Sequence, residues 1–246
     1  MNYFKFFVGV IIISFLIPSY ALAAKSDFIP LKAGNWWQYR MTKTAGFNEK
    51  GEYVLNKDGS YKIFKSSKSV KVEILKVKEY KNIIVALFNN IPGGYSEGKA
   101  TLLVINNKDY YWGNEAIFDF VIKNKGKINV NDFYLNNKID GPEDSNPPKI
   151  NIHELSLPLT KNKLFGCDEI DKSRHDKNYC SWVRSIKPAN KKYFNKKYQY
   201  EIAEYTLSGE SHYYYVNNVG LTYFSYEHNG ITDEEIWNLQ KYYFMN

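Results

Sequence analysis

The sequence contains few of the residues that build metal sites. Its 246 residues include four histidines and two cysteines. His153-Glu154 lacks the second histidine of a His-Glu-x-x-His zinc motif, and no glycine-rich phosphate-binding loop occurs. These absences exclude a zincin and a P-loop nucleotide-binding protein. The four histidines are scattered, so we expect no metal site and no cofactor; they are His153, His175, His212 and His228.

The sequence also lacks a recognisable set of catalytic groups. Ser96-Glu97-Gly98-Lys99 matches the Ser-x-x-Lys acylation motif, but the companion motifs Ser-Asp-Asn and Lys-Thr-Gly are missing. Ser211 and His212 are adjacent in a predicted strand, where they would point to opposite faces. We therefore assign no catalytic residue and expect a non-enzymatic protein. An enzyme whose groups meet only on folding stays open as an alternative.

Long apolar runs are missing except at the amino terminus. Met1–Ala23 has a weakly basic start, an apolar stretch, a proline break and the small residues of a signal-peptidase site. The residues after Ala23 include no cysteine that a lipid anchor would use, and an uncleaved anchor is the alternative. We expect export to the periplasm or the exterior, with residues 24–246 forming the mature chain and no membrane span within it.

Strong charge of one sign is also missing. The formal net charge is +7, and removal of residues 1–23 takes away one lysine and no acid, which leaves +6. This excess is spread along the chain, so we expect no nucleic-acid partner.

The two cysteines predict a disulfide. Cys167 and Cys180 form an even pair in a chain that we expect to be exported, and a pair of free thiols is the alternative. A loop of this length stabilises a fold by about 3 kcal/mol in the chain-entropy treatment.

Short runs of valine, isoleucine, tyrosine and phenylalanine between Gly/Asn/Asp turns predict an all-β fold. We expect an antiparallel curved sheet or open barrel made of hairpins. Ile83–Phe88 is continuously apolar, which predicts a strand covered on both faces. The apolar phase shifts at Leu75, as a β-bulge requires. The other predicted strands are Trp36–Thr42, Glu52–Leu55, Tyr61–Phe64, Val70–Ile74, Thr101–Ile105, Tyr110–Trp112, Ile117–Ile122, Trp182–Ile186, Gln199–Leu207, Ser211–Val216 and Leu221–Tyr226.

One short C-terminal helix is predicted to close the chain. Thr232 and Glu235 have the spacing of a capping box, and Ile236, Leu239 and Tyr243 have helical spacing. We expect a single β domain over residues 24–246. The proline-rich loop Asp140–Pro148 would join two similar halves, 24–139 and 149–246, although the repeated segments are short enough for coincidence.

A loop between predicted strands mixes lysines with aromatic residues. Residues 187–200 contain four aromatic side chains among these lysines, and such a pattern can hold an anionic partner. The alternative is a hairpin loop with its aromatic side chains turned inward. The lysines are Lys187, Lys191, Lys192, Lys196 and Lys197.

Two motifs carry a resemblance. Phe28–Tyr39 contains Pro30, Gly34, Trp37 and Tyr39 in the spacing Pro-Leu-Lys-x-Gly-x-x-Trp-x-Tyr, and it resembles the opening of a group of uncharacterised bacterial exported proteins. Tyr213–Phe224, which includes Gly220, resembles the closing hairpin of the same group. The resemblance implies an envelope or secreted β protein and, more distantly, the curved sheet of the periplasmic lipid-carrier (lipoprotein-localisation-like) fold. It implies no activity.

Two functional hypotheses follow from these patterns. The first is an exported β protein whose sheet shelters an apolar or amphiphilic ligand, such as a lipid. The second is an interaction module that binds an envelope protein or an anionic cell-surface polymer through the lysine-containing loop. A sheet whose concave face is filled by its own side chains would count against the first hypothesis.

The disulfide can be tested by thiol titration of the denatured mature protein. We expect no reactive thiol before reduction and two after it, because Cys167 and Cys180 are paired. Two reactive thiols in the unreduced protein would establish the alternative.

Overall fold

The computed structural model describes residues 28–48, 50–91, 98–129, 150–165, 181–190, 194, 197–206, 209–229 and 234–245. Several predicted features lie outside these residues: the signal peptide, the Asp140–Pro148 loop and the pair Cys167 and Cys180. The disulfide, the export signal and the two similar halves therefore stay predictions.

The described residues form twelve strands and one helix. In chain order they are β1 (Trp36–Ala45), β2 (Phe64–Glu79), β3 (Ile83–Phe88), β4 (Ala100–Ile105), β5 (Asp109–Asn114), α1 (Glu115–Lys123), β6 (Ile150–Ser156), β7 (Leu164–Phe165), β8 (Ser181–Pro188), β9 (Tyr198–Thr206), β10 (Gly209–Val216), β11 (Gly220–His228) and β12 (Glu234–Tyr243).

All twelve strands belong to one antiparallel sheet. Each strand pairs with the next along the chain from β1 to β6 and again from β7 to β12, and β1 pairs with β12 between the two series. The sheet curls until its edge strands β6 and β7 come into contact. Lys163 bridges this seam, because its Nζ donates to the carbonyl oxygens of Ser156 and Pro158. The all-β prediction of a curved antiparallel sheet is confirmed, and the sheet is a nearly closed barrel.

The inward-facing side chains of the described residues pack into one buried cluster inside the barrel. Phe28, just before the first strand, packs against rings from three strands. Its ring centroid lies 6.4 Å from that of Tyr110, 5.7 Å from that of Tyr200 and 5.9 Å from that of Tyr215. Side chains from both series of strands belong to the same buried cluster. This is the arrangement that counts against a sheltered apolar ligand.

Strand β3 is buried on both faces, as its continuous apolar run predicts. Ile84, Ala86 and Phe88 point into the barrel core. The alternate residues Ile83, Val85 and Leu87 pack in a second cluster under α1. The helix therefore extends the core beyond the sheet on this side.

The predicted strand Ile117–Ile122 is wrong, because these residues form most of α1. The buried residues Ile117, Phe118 and Val121 are spaced for one face of a helix, and Glu115 and Lys123 suit its two ends electrostatically. The apolar run alone did not distinguish a short helix from a strand.

The predicted C-terminal helix is also wrong, because Glu234–Tyr243 forms β12. One short helix is present, but at Glu115–Lys123. Strand β12 pairs with β1 on one side and with β11 on the other. A helix here would leave the backbone groups of both neighbours unpaired. Sheet pairing therefore overrides the local helical spacing of Ile236, Leu239 and Tyr243.

The predicted β-bulge in β2 is confirmed. The register of β2 against β3 shifts between Ile74 and Lys76, which makes Leu75 the bulged residue. The preceding hairpin turns at Gly59, whose φ is +83° and whose N–H donates to the carbonyl oxygen of Asn56 over 3.0 Å.

The two motifs that carry the resemblance contact each other. Trp37 Nε1 donates to the carbonyl oxygen of Val219 over 2.6 Å, and Tyr39 Oη donates to that of Leu221 over 2.8 Å. Gly220, between these acceptors, has a φ of +90°. A Cβ at this position would lie 3.5 Å from Ile29. We call this set of contacts the clasp.

A second set of contacts holds the turn before β1. Gly34 has a φ of +87°, and a Cβ there would lie 2.5 Å from the sulfur of Met245. Asn35 Nδ2 donates to the carbonyl oxygen of Pro30 over 2.9 Å, and Asn35 Oδ1 accepts from the N–H of Met245 over 2.8 Å. The first turn of the described chain is thus joined to its last residues.

Tyr39→Phe tests the energetic importance of the clasp. Tyr39 is 1% exposed, and burial raises the pKa of its hydroxyl, so this group remains a hydrogen-bond donor. Removing it takes away this buried hydrogen bond, and we expect the free energy of unfolding in urea to fall by about 1–2 kcal/mol. Tyr61→Phe is the control, because Tyr61 is largely exposed. Equal stability of the two variants would contradict this role of the clasp.

Candidate functional site

The predicted lysine-containing loop is described only in part. Lys187 lies in β8 and Lys197 just before β9, whereas Lys191, Lys192 and Lys196 lie outside the described residues. The N–H of Ala189 donates to the carbonyl oxygen of Lys197 over 2.9 Å and joins the two ends of the loop. Phe194 packs against a small buried cluster, whereas Tyr198 is 57% exposed.

A polar groove lies on the outer face of β8–β11, beside this loop. Its volume is about 380 Å³, within the range of small-molecule sites. The groove lies on this face because strand alternation directs one set of side chains into the barrel and the other outward. The lining residues are Arg184, Lys187, Glu201, His212, Tyr214, Tyr223, Ser225 and Glu227.

A β-bulge in β8 orients two polar side chains toward Glu201 in the groove. Val183 pairs with Ile202 and Ser185 pairs with Glu201, so Arg184 is the extra residue. Ordinary alternation would put Arg184 and Ser185 on opposite faces. The bulge lets both side chains contact the Glu201 carboxylate, Ser185 by a hydrogen bond of 2.7 Å and Arg184 by an ion pair of 3.6 Å.

A second bulge shapes the other side of the groove. Tyr214 pairs with Tyr223 and Tyr215 pairs with Leu221, which makes Thr222 the extra residue in β11. The buried Thr222 hydroxyl donates to the carbonyl oxygen of Tyr214 over 2.9 Å. The rings of Tyr214 and Tyr223 meet edge to face with centroids 5.3 Å apart. The two tyrosines therefore form an oriented pair in the groove.

His212 lies between two glutamates. Its Nδ1 is 3.2 Å from Glu201 Oε1, and its Nε2 is 2.9 Å from Glu210 Oε1. The Nη1 of Arg184 lies 2.9 Å from Glu210 Oε1 and 3.5 Å from both ring nitrogens of His212. Each carboxylate thus contacts both basic side chains, and the four residues form one network.

Two groove residues, Glu201 and Tyr214, have shifted pKa values and keep their ordinary protonation states at neutral pH. Burial raises the pKa of Glu201, but the Ser185 hydroxyl, Arg184 and His212 together outweigh it and leave that pKa lowered. Burial and the nearby Glu201 charge raise the pKa of Tyr214 to about 12. Glu201 is therefore a fixed acceptor and Tyr214 a fixed donor, which suits binding better than proton exchange.

Sequence reasoning placed Ser211 and His212 on opposite faces, and the structure confirms this. Ser211 is buried, and His212 faces the groove. The cluster around His212 was nevertheless missed. The alternation Glu210-x-His212-x-Tyr214 was a usable signal for one polar face, but the partnership with Arg184 depends on a bulge and on strand order.

Among the described residues, no group of three or more histidine, cysteine, aspartate or glutamate side chains has the geometry to hold a metal ion. Within the same part of the chain, no helix is both long and apolar enough to cross a bilayer.

Comparison with known proteins gives two structural similarities. No protein-family profile matches the chain, and no curated protein is similar to it. A candidate exported protein with a YmcC-like fold from Bacteroides fragilis is 12% identical, with 88% of this chain and 99% of that chain covered and a TM-score of 0.32. A candidate lipoprotein from Parabacteroides distasonis is 11% identical, with 88% and 98% covered and a TM-score of 0.32.

Glu201→Gln tests the network through the pH dependence of stability. Because the folded-state pKa of Glu201 is lowered, its ionisation stabilises the fold above the ordinary glutamate pKa, and this contribution is lost as pH falls through the lowered value. We expect Glu201→Gln to reduce the free energy of unfolding at pH 7 by about 1–3 kcal/mol and to flatten its decline in acid.

Glu204→Gln is the matched variant, and we expect it to change the pH dependence of the free energy of unfolding in the opposite direction. Glu204 faces the barrel interior, where Tyr213 Oη lies 3.5 Å from its carboxylate, and burial raises its pKa. The wild type therefore loses stability as pH rises from the ordinary glutamate pKa to the raised value, and Glu204→Gln removes this loss. Urea unfolding from pH 3 to pH 8 measures both effects. If both variants changed the pH dependence of stability in the same direction, the opposite pKa shifts assigned to Glu201 and Glu204 would be contradicted.

Proposed function

We propose that the protein is a non-enzymatic, exported binding protein whose outer-face groove binds a polyhydroxylated ligand of the carbohydrate class. The observation that carries this proposal is the combination of an oriented tyrosine pair with fixed donors and acceptors in one open groove. The exported location rests on the signal-like segment Met1–Ala23.

The groove suits a ligand better than the interior does. The interior of the barrel is occupied by Phe28 and the aromatic rings around it. In contrast, Arg184 is about half exposed, so part of its guanidinium is available beyond its contacts with Glu201 and Glu210. A ligand entering the groove would meet a surface that its own network already orients, which lowers the entropic cost of binding.

The composition of the groove favours hydroxyl groups. Arg184 and Lys187 donate hydrogen bonds, Glu227 accepts them, and Ser225 does both. A sugar hydroxyl also does both, so it can bridge such neighbours without bringing a net charge into a mixed-charge site. The ring faces of tyrosines supply apolar surface for the C–H face of a sugar ring.

The protonation states support binding without turnover. General acid–base catalysis works best with a group whose pKa lies near the working pH. The pKa of Glu201 is lowered by its partners, and that of Tyr214 is raised to about 12. Both pKa values are therefore moved away from neutral pH.

A second candidate function uses the lysine-containing loop. Lys187 lines the groove and is also the first residue of that loop. An anionic cell-surface polymer, or an acidic patch on an envelope protein, could therefore contact the loop and the groove together. A polyanion should bind more weakly as salt is added, whereas a neutral saccharide should not.

The proposal is tested with a glycan array, followed by isothermal titration of the best saccharide. We expect the mature wild type to bind. Tyr223→Leu and Lys187→Gln should each weaken binding about tenfold, equivalent to about 1.4 kcal/mol. Lys76→Gln is the control for the lysine change, because Lys76 is exposed on β2, away from the groove.

Unfolding curves identify any variant that has lost its fold. Absence of wild-type binding to neutral and anionic saccharides alike would refute the carbohydrate assignment. Binding that disappears at high salt and involves only anionic polymers would instead support the second candidate.

A further inference from the structure

The long connection between β1 and β2 folds into a small sheet of its own, which we call the tip (residues 46–48 and 50–63). Phe47 forms an antiparallel bridge with Tyr53, and Leu55 forms one with Tyr61. The N–H of Lys62 donates to the carbonyl oxygen of Val54 over 2.7 Å, which extends the second pairing. The tip is therefore three short extended segments joined by two tight turns.

The two turns of the tip are fixed by local hydrogen bonds. Asn48 Oδ1 accepts from the backbone N–H groups of Lys50, over 2.9 Å, and Glu52, over 3.0 Å. Asp58 Oδ1 accepts from the N–H and the hydroxyl of Ser60, over 3.0 Å and 2.7 Å. Such side-chain bonds order a turn without contact with the barrel.

One face of the tip consists of apolar side chains that are exposed. The two bridges put the odd-numbered residues on one side, and ring contacts of 6.4 Å and 5.5 Å join Phe47, Tyr53 and Tyr61. The exposed fractions are 37% for Phe47, 59% for Tyr53, 59% for Leu55, 64% for Tyr61 and 55% for Ile63. Single exposed apolar residues are ordinary, but five on one face indicate a contact surface.

The tip and the adjoining part of β2 are basic. Residues 46–68 contain five lysines against three acids. Two of the acids are engaged inside the turns: Asp58 with Ser60, and Glu52 with the side-chain amide of Asn48 over 3.0 Å. The stretch that carries the apolar face therefore has an excess of two positive charges (5 − 3). An anionic surface complements this distribution.

We propose that the tip docks the protein on a lipid bilayer that contains anionic lipids, with its apolar face in the interfacial layer. Tyrosine is enriched at this depth of a bilayer, and lysines next to such a face contact anionic headgroups. Lysine stems extend along apolar surface and keep the charged end at the polar layer. This proposal is independent of the outer-face groove.

Geometry favours a bilayer over a protein partner. The neighbouring residues Lys65–Ser69 of β2 are exposed in succession, so the hairpin projects from the barrel and can reach a surface. Five apolar side chains are far fewer than the 20–30 residues that each partner supplies to a stable protein interface. Shallow insertion assisted by charge needs no such area.

The experiment is flotation of the mature protein with vesicles of phosphatidylcholine alone and with about one third phosphatidylglycerol, at low and physiological salt. We expect binding to the anionic vesicles only. Leu55→Ser combined with Tyr61→Ser should reduce it about tenfold or more. Leu164→Ser is the matched control, because Leu164 is 50% exposed on β7. Circular dichroism and urea unfolding verify that each variant is folded.

A charge variant and a loop variant complete the design. Lys57→Gln combined with Lys62→Gln should weaken binding to the anionic vesicles and make that binding less dependent on salt. Lys187→Gln combined with Lys197→Gln should leave binding to the anionic vesicles unchanged. Absence of wild-type binding, equal binding of the tip variant, or loss only in the loop variant would overturn the proposal. So would tip-dependent capture of a soluble envelope protein without vesicle binding, which would assign the tip to a protein partner.

Discussion

The clasp is the constraint on which the barrel depends. The indole of Trp37 and the phenol of Tyr39 both point inward from β1 and donate to carbonyl groups on either side of Gly220. These two acceptors are near the end of the chain, whereas the donors are near the beginning of the described part. Because β12 lies between β1 and β11, the same bonds fix how these three adjacent strands are shifted along one another. A glycine at 220 is needed where the backbone turns at positive φ against Ile29 and Trp37.

The groove and the clasp are connected through β11. Gly220 begins this strand, and the bulge at Thr222 follows two residues later. The strand then presents Tyr223, Ser225 and Glu227 on the outer face while Phe224 points into the core. The inner face thus anchors the strand, and the outer face is left for polar side chains. This division explains how one strand can both hold the clasp and form a wall of the candidate site.

Much of the fold could be predicted from local patterns, because hairpins pair residues close in sequence. Ile83–Phe88 has the apolar run of a doubly buried strand, and Leu75 has the phase shift of a bulge; both are present. Glu234–Tyr243 could not be assigned in this way, since its helical spacing is overridden by pairing with β1, which is about 200 residues away in sequence. The groove could not be predicted from local patterns either. Its network joins Arg184 to His212 through strand order and a bulge, and neither can be read from spacing along the chain.

The position of β12 also determines when the barrel can form. Its partner β1 is synthesised first and keeps an unpaired edge until the final strand arrives. A nascent chain therefore emerges with open hairpins and cannot seal itself while it is still being made.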